Sequence, residues 1–220
     1  MKNRLVFFGI VSALLLTMIG CGGGQNKRVE FEEDTIRWAV VKDSTLYGIC
    51  GDGSAMNTLE LLIDNGDTMV ISVTDAKDAG KVFGNYAIGD RMAVMLKSKG
   101  VARMVINMSA MLGNWVMPNP LDGSSELGMK IKEGGIVEGI DQSTIIYKTW
   151  KIFNGQLEIV SQREGGGDFE ETNRYDLVFL SPDSLVFKDS EDIFEYGRQK
   201  EQSLKSKIKL EEASFDDFKL

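Results

Sequence analysis

The sequence predicts a mainly β protein built as two consecutive antiparallel modules, with a leader before them and a charged tail after them. Three observations carry this. Short runs of alternating apolar and polar residues recur along the chain, separated by Gly, Asn and Asp; such runs form half-buried strands. Two Asn-Gly pairs, Asn65-Gly66 and Asn154-Gly155, stand between such runs and supply the positive φ that hairpin turns require. Near the midpoint, Met111-Leu112-Gly113-Asn114-Trp115-Val116-Met117-Pro118 separates one series of runs from the next.

The first element is a targeting segment, residues 1–20. Lys2 and Arg4 precede an apolar run from Leu5 to Leu16, which is too short to span a bilayer as a stable helix. Thr17-Met18-Ile19-Gly20-Cys21 resembles a bacterial lipobox, with Met18 where Leu is usual. The resemblance implies that Cys21 is acylated and becomes the first mature residue. Residues 21–33 then form a tether, opened by the flexible Gly22-Gly23-Gly24.

Charge and composition narrow the function. Removal of the leader takes the net charge from −8 to −10, which points away from nucleic acid, because phosphate binding rests on Lys and Arg. It also means that membrane attachment must come from the acyl chains and not from charge. The chain has two Cys and no His. With Cys21 acylated, Cys50 has no intramolecular partner, so no disulfide framework is expected. The lack of His removes Ser-His and Cys-His catalysis and the usual zinc sites. The sequence therefore predicts no catalytic residues, no metal and no cofactor.

The first module covers residues 34–108. Its expected strands are Ile36–Val41, Thr45–Ile49, Thr58–Ile63, Thr68–Val73, Arg91–Lys97 and Val101–Met108. The Asp64-Asn65-Gly66-Asp67 turn reads as a hairpin and not as a calcium loop, since it lacks spaced third and fourth oxygen donors. A loop one residue longer than the strict two-residue turn is preferred, setting Ile63 against Met69 and Leu61 against Ile71 so that both apolar sets share a face. Thr74 to Gly80 predicts one helical turn, capped by Thr74 or Asp75 and stopped at Gly80. Cys50 reads as a small buried hydrophobe, since no basic neighbour or His would activate it.

The second module covers residues 109–196. In its clearest hairpin, Ile145–Phe153 and Gln156–Gln162 flank Asn154-Gly155. A two-residue turn pairs Ile152 with Leu157 and Trp150 with Ile159 on one face, and Lys151 with Glu158 on the other. The Lys151–Glu158 pair reads as a solvated surface ion pair worth at most about 1 kcal/mol. Leu127–Ile131, Ile136–Ile140, Thr172–Leu180 and Leu185–Lys188 complete a count of seven or eight strands, joined by short links. That pattern is an up-and-down meander curled into a closed or half-open barrel. Glu164 with Asp168, and Glu170 with Glu171, form carboxylate pairs in or beside a glycine-rich loop, where solvated side chains are expected instead of a hydrolytic site. Residues 197–220 read as a charged tail or surface helix with a thin apolar stripe.

Several phrases resemble a known family. Gly113-Asn114-Trp115, Ile145-Ile146-Tyr147-Lys148-Thr149-Trp150 and Leu185-Val186-Phe187-Lys188 resemble the bacterial lipocalin-like domains. Asp52-Gly53-Ser54-Ala55-Met56-Asn57-Thr58-Leu59 and Tyr86-Ala87-Ile88-Gly89-Asp90 resemble the β module that precedes such domains in lipoproteins of the Bacteroidota. The resemblance implies a small OB-like N-terminal β-barrel followed by a short lipocalin-like antiparallel meander barrel. A small apolar ligand is expected in the second barrel, where the aromatics Trp115, Tyr147, Trp150, Phe153, Tyr175 and Phe179 are candidates to line a pocket and Trp115, Met129, Tyr147, Trp150, Ile152, Leu157 and Tyr175 are the expected binding residues. The module is only about eighty-five residues long, so a second outcome stays open: side chains fill the barrel, Trp115 plugs one end, and the protein serves as an assembly module for an envelope partner. Either way the expected address is the cell envelope, at the outer membrane, with Cys21 as the anchor.

Overall fold

The computed structural model describes residues 41–119, 123, 125–140 and 144–199. The leader, Cys21, the tether, the tail from 200 onward and, but for Val41, the expected strand Ile36–Val41 lie outside the described residues.

The first module is a sheet of six strands among the described residues: β1 (Leu46–Cys50), β2 (Thr58–Ile63), β3 (Thr68–Ser72), β4 (Val82–Phe83), β5 (Arg91–Ser98) and β6 (Val101–Asn107), in the order β3-β2-β1-β5-β6-β4. One parallel pairing, Ser72 with Val101, joins β3 to β6 and turns the sheet back on itself. Its core holds Leu59, Leu61, Ile71, Met92, Val94 and Val105, all fully buried. The β2–β3 register differs from expectation by two residues: Leu59 faces Ile71 and Leu61 faces Met69. The turn is centred one residue earlier than supposed, on Asn65, with Ile63 N–H donating to Asp67 O at 2.8 Å. Because side chains alternate with period two, an even slip keeps the same apolar faces together, so the facing pattern survives the changed pairing.

Helix α1 (Thr74–Asp78) follows β3, and its cap also differs from expectation. The N-cap is Val73, with no side-chain hydrogen bond, because Val73 is drawn into the core. Its C-terminus behaves as read: Gly80 adopts φ +63°, Gly80 N–H donates to Lys77 O and Lys81 N–H to Ala76 O. These two bonds satisfy the last-turn carbonyls.

A short helix α2 (Met108–Met111), not anticipated from sequence, joins the modules. Asn107 caps it by accepting from Ala110 N–H at 3.0 Å. The second sheet has eight strands: β7 (Gly113–Pro118), β8 (Glu126–Ile131), β9 (Val137–Ile140), β10 (Ile145–Phe153), β11 (Gln156–Arg163), β12 (Glu170–Leu180), β13 (Ser184–Lys188) and β14 (Ile193–Arg198). Each pairs antiparallel with its sequence neighbour, and β14 returns to β7 through Gly197–Val116 and Arg198–Trp115. The remaining seam, β9 to β10, is crossed among the described residues by an isolated bridge, Ile136 to Thr149. The result is a nearly closed up-and-down barrel. β14 overruns the expected boundary at 196, so Gly197 and Arg198 belong to the barrel and not to the tail.

The β10–β11 hairpin has the expected register: Ile152–Leu157, Trp150–Ile159 and Lys151–Glu158. Asn154 and Gly155 take φ of 51° and 79°, as a primed two-residue turn demands. The outer-face ion pair is not a solvated decoration. Glu158 keeps only 6% of its side-chain surface and accepts from both Lys151 (3.0 Å) and Arg174 (2.7 Å), while both cations lie over Phe153. Long basic side chains and the ring cover the carboxylate.

The two modules share a core. One buried cluster joins Phe83, Ala93 and Ile106 of the first to Trp115, Trp150 and Leu185 of the second. The Asn154-Gly155 tip meets the first module directly. Asn154 Oδ1 accepts from Ser44 N (2.9 Å) and Ser44 Oγ (2.8 Å), and Asn154 N donates to Asp43 Oδ1 (3.0 Å). The Tyr47 hydroxyl sits between Asp43 Oδ2 (2.6 Å) and the Ile152 carbonyl, both acceptors for its one proton.

Candidate functional site

The second barrel has unlike ends. At the end formed by α2 and the start of β7, the interior is filled. Trp115 is fully buried, and its Nε1–H donates to Met111 O at 2.7 Å. Arg198, brought opposite by the last strand, lays its guanidinium 4.2 Å from the Trp115 ring centroid. It donates from Nη1 to Leu112 O (2.9 Å), from Nη2 to Ala110 O (3.1 Å) and from Nε to Pro182 O. Gly113 makes room for it: a Cβ there would lie 2.3 Å from Arg198 Nη1, and its φ of +129° disfavours other residues. Trp115 is therefore the plug of this end.

The other end holds a cavity of about 430 Å³. Its depth is mainly apolar and aromatic, formed by Met129, Ile159, Phe187 and Tyr196 with the buried Ser161, and its mouth is polar, formed by Thr144, Arg163, Glu164, Glu171 and Asn173. Tyr147, Tyr175 and Phe194 stand in the wall between. Alternation along β11 and β12 sets Ile159, Ser161, Arg163 and Glu171, Asn173, Tyr175 on the inner face. Tyr147 reaches the same interior as Trp150 and Ile152, although strict alternation would separate them. The register shift between Tyr147 and Thr149 accounts for this: one extra residue in the strand reverses facing beyond the bulge.

The aromatic wall is continuous. Phe187 lies 4.9 Å from Tyr175, 5.5 Å from Phe194 and 5.5 Å from Tyr196, centroid to centroid. Burial raises the Tyr147, Tyr175 and Tyr196 phenols above their ordinary range. Tyr147 and Tyr196 also interact with each other through a hydrogen bond, which lowers Tyr147 and raises Tyr196. For Tyr175 the negative Asp189 and Glu171 add to the rise. All three hydroxyls therefore stay neutral; one proton of the Tyr147–Tyr196 pair is committed to their mutual hydrogen bond, and Tyr175 can donate to a guest.

Of the seven residues expected to bind ligand, Met129, Tyr147 and Tyr175 line this cavity. Trp115, Ile152 and Leu157 are fully buried in the core away from it. Trp150 lines a different hollow, of about 500 Å³ between the two modules, beside Arg91, Leu112 and Lys151; its Nε1–H donates to Lys132 O at 2.9 Å. Sequence reasoning missed Phe187, Phe194 and Tyr196 as wall residues; the alternation Phe194, Tyr196 carried that signal. Two carboxylates assigned only to a solvated loop, Glu164 and Glu171, lie at the mouth, and Glu171 pairs with Arg163 at 3.3 Å.

Cys50 is buried and free, with its thiol 3.3 Å from Ser54 Oγ. Among the described residues, no group of three or more His, Cys, Asp or Glu is placed to hold a metal ion, and no helix is long and apolar enough to cross a membrane.

Comparison with known proteins agrees with this geometry. Residues 107–199 match the model of a family described as lipocalin-like. A crystal structure of a lipocalin-like protein from Bacteroides thetaiotaomicron is 30% identical over 41% of this chain and 97% of that one, with a TM-score of 0.38. A search of curated proteins found no match. The plugged, nearly closed meander of residues 107–199 is a lipocalin-like domain.

Proposed function

We propose that this is a non-enzymatic lipoprotein of the cell envelope, anchored at the outer membrane through acylated Cys21, that takes a small, largely apolar ligand into the open end of its lipocalin-like barrel. The observation that carries this reading is the cavity of about 430 Å³ with an aromatic depth and a polar mouth. Its volume lies within the range of small-molecule sites, which join apolar walls to a few convergent polar groups. A His-free chain whose mouth carboxylates flank an apolar hollow is better suited to capture than to catalysis. The first module we read as OB-like: its strand order, the helix between β3 and β4 and the parallel β3–β6 closure support that.

Titration of the soluble chain with the neutral dye N-phenyl-1-naphthylamine tests the reading. Dye fluorescence should rise on binding, and Asn173→Trp, at an exposed mouth position, should suppress the rise by filling the cavity. A flat titration, or a rise untouched by Asn173→Trp, rejects the site. For the anchor, Cys21→Ser should move the protein from the membrane to the soluble fraction. The second reading, an assembly module, is favoured by Met56 and Ile88, which are 80% and 71% exposed on the first module; it would stand if the dye titration were flat.

A further inference from the structure

We infer that the ligand of the mouth cavity carries a positive charge: an amine or quaternary ammonium on an apolar body. This rests on the reading of the cavity as a ligand site and adds the chemical class. The first observation is the wall itself. Tyr147, Tyr175, Phe187, Phe194 and Tyr196 all border the hollow, and the faces of such rings are negative and attract desolvated cations. A neutral alkyl chain gains only burial from these surfaces, whereas an ammonium gains burial and the ring quadrupoles together.

The second observation is the sign of the mouth. Three charged residues border the cavity, Arg163, Glu164 and Glu171. Arg163 Nε is engaged by Glu171 Oε1 at 3.3 Å, while the Glu164 carboxylate has no ion pair among the described residues. The three side chains together carry a net negative charge, and Arg163, 76% exposed, turns largely to solvent. The chain at this end has the same sign: Asp168 lies between β11 and β12 and Glu170 opens β12, while Asp189, Glu191 and Asp192 lie between β13 and β14, against Lys188 at the end of β13. Their field reaches the wall, since Asp189 and Glu171 add to the upward shift of the Tyr175 phenol that burial begins. An anionic guest such as a fatty acid would enter against that field, with Arg163 as the one cation of the lining and Glu171 beside it. A cationic guest is drawn in by it and meets the aromatic wall on arrival.

Three probes of one chain length separate the possibilities: octyltrimethylammonium, octanol and octanoate, each titrated calorimetrically into the soluble chain. The expected order is ammonium about tenfold tighter than alcohol, with octanoate weakest. Added salt should weaken the ammonium and leave the alcohol unchanged. Glu164→Gln, at an exposed position, should weaken the ammonium several-fold and leave octanol unchanged. Equal affinity for ammonium and alcohol, or a preference for octanoate, overturns the charge assignment while leaving the ligand site intact. No binding of any probe overturns the ligand site and the charge assignment with it.

Discussion

Replacing Arg198 by Ala should cost far more stability than its place at the edge of a charged tail suggests. The side chain makes three donations to carbonyl oxygens, on Ala110, Leu112 and Pro182, and covers Trp115. Hydrogen bonds from a charged donor contribute roughly 1.5–3 kcal/mol each when no solvent replaces them. Arg198 is only partly buried, so water recovers part of that loss. A net cost of about 2–3 kcal/mol for the hydrogen bonds remains, and the cation–π contact adds about 1 kcal/mol. The total, about 3–4 kcal/mol, corresponds to a fall in Tm of roughly 6–16 °C for a body of this size. Arg198→Lys keeps a charge near the ring but cannot span three carbonyls, so it should recover less than half of the loss. Gly113→Ala supplies a cycle. In the wild type its new Cβ would meet Arg198 Nη1, whereas in the Arg198→Ala background only the backbone strain at φ +129° remains. The double variant should therefore be more stable than the sum of the singles by about 1 kcal/mol. Urea unfolding of the four proteins measures this. An Arg198→Ala midpoint within about 0.5 kcal/mol of wild type, or strict additivity, would refute the reasoning.

Three further outcomes are expected. Glu158→Gln should destabilise by about 1–3 kcal/mol, less than breaking a fully buried pair because Lys151 and Arg174 are half-exposed and can rehydrate. Burial pushes the Glu158 carboxyl up, but hydrogen bonds and charge from Arg174 and Lys151 outweigh it and hold the carboxyl below its ordinary value. Its contribution is thus complete above an unfolded pKa of roughly 4.3 and is lost as pH falls through the lower folded value; the gap in urea midpoint between wild type and Glu158→Gln should narrow on going from neutral to acid, and a constant gap would contradict the assignment. Tyr47→Phe should cost about 1–2 kcal/mol in the same assay, since Asp43 and the Ile152 carbonyl lose the one proton they share; no change would show that the hydroxyl does not join the modules.

The sequence was most legible where chemistry is local. The β10–β11 register followed from one Asn-Gly pair and two apolar faces, because turn type and alternation agree there. The β2–β3 hairpin was harder, since its turn holds Asp64, Asn65, Gly66 and Asp67, and several loop lengths keep the same faces together. β4 has two residues and leaves no periodic signal. Arg198 was read as tail because Glu195, Arg198 and Lys200 resemble a solvated run; only closure of β14 on β7 sets it opposite Trp115. The cavity was legible in part. Tyr175 and Met129 follow from alternation, but Tyr147 depends on a bulge that no pattern announces. Whether the barrel is empty or filled depends on summed side-chain volume, which alternation does not encode.

The shared core has a consequence for how this chain can be divided. The family match begins at residue 107, yet Phe83, Ala93 and Ile106 on the near side of that point pack in one cluster with Trp115, Trp150 and Leu185 beyond it. A Cβ on Gly155 would meet Met104 Sδ at 2.9 Å and Met95 Cγ at 3.1 Å, so the hairpin tip is moulded to the first module as closely as to its own turn. A fragment cut at residue 107 would leave that cluster half covered and should aggregate or open readily to proteases. Exchange of the second module for a relative's would succeed only if the methionines and aromatic side chains that meet it were exchanged as well. What sequence comparison separates as a domain is, for this chain, half of one cooperative unit.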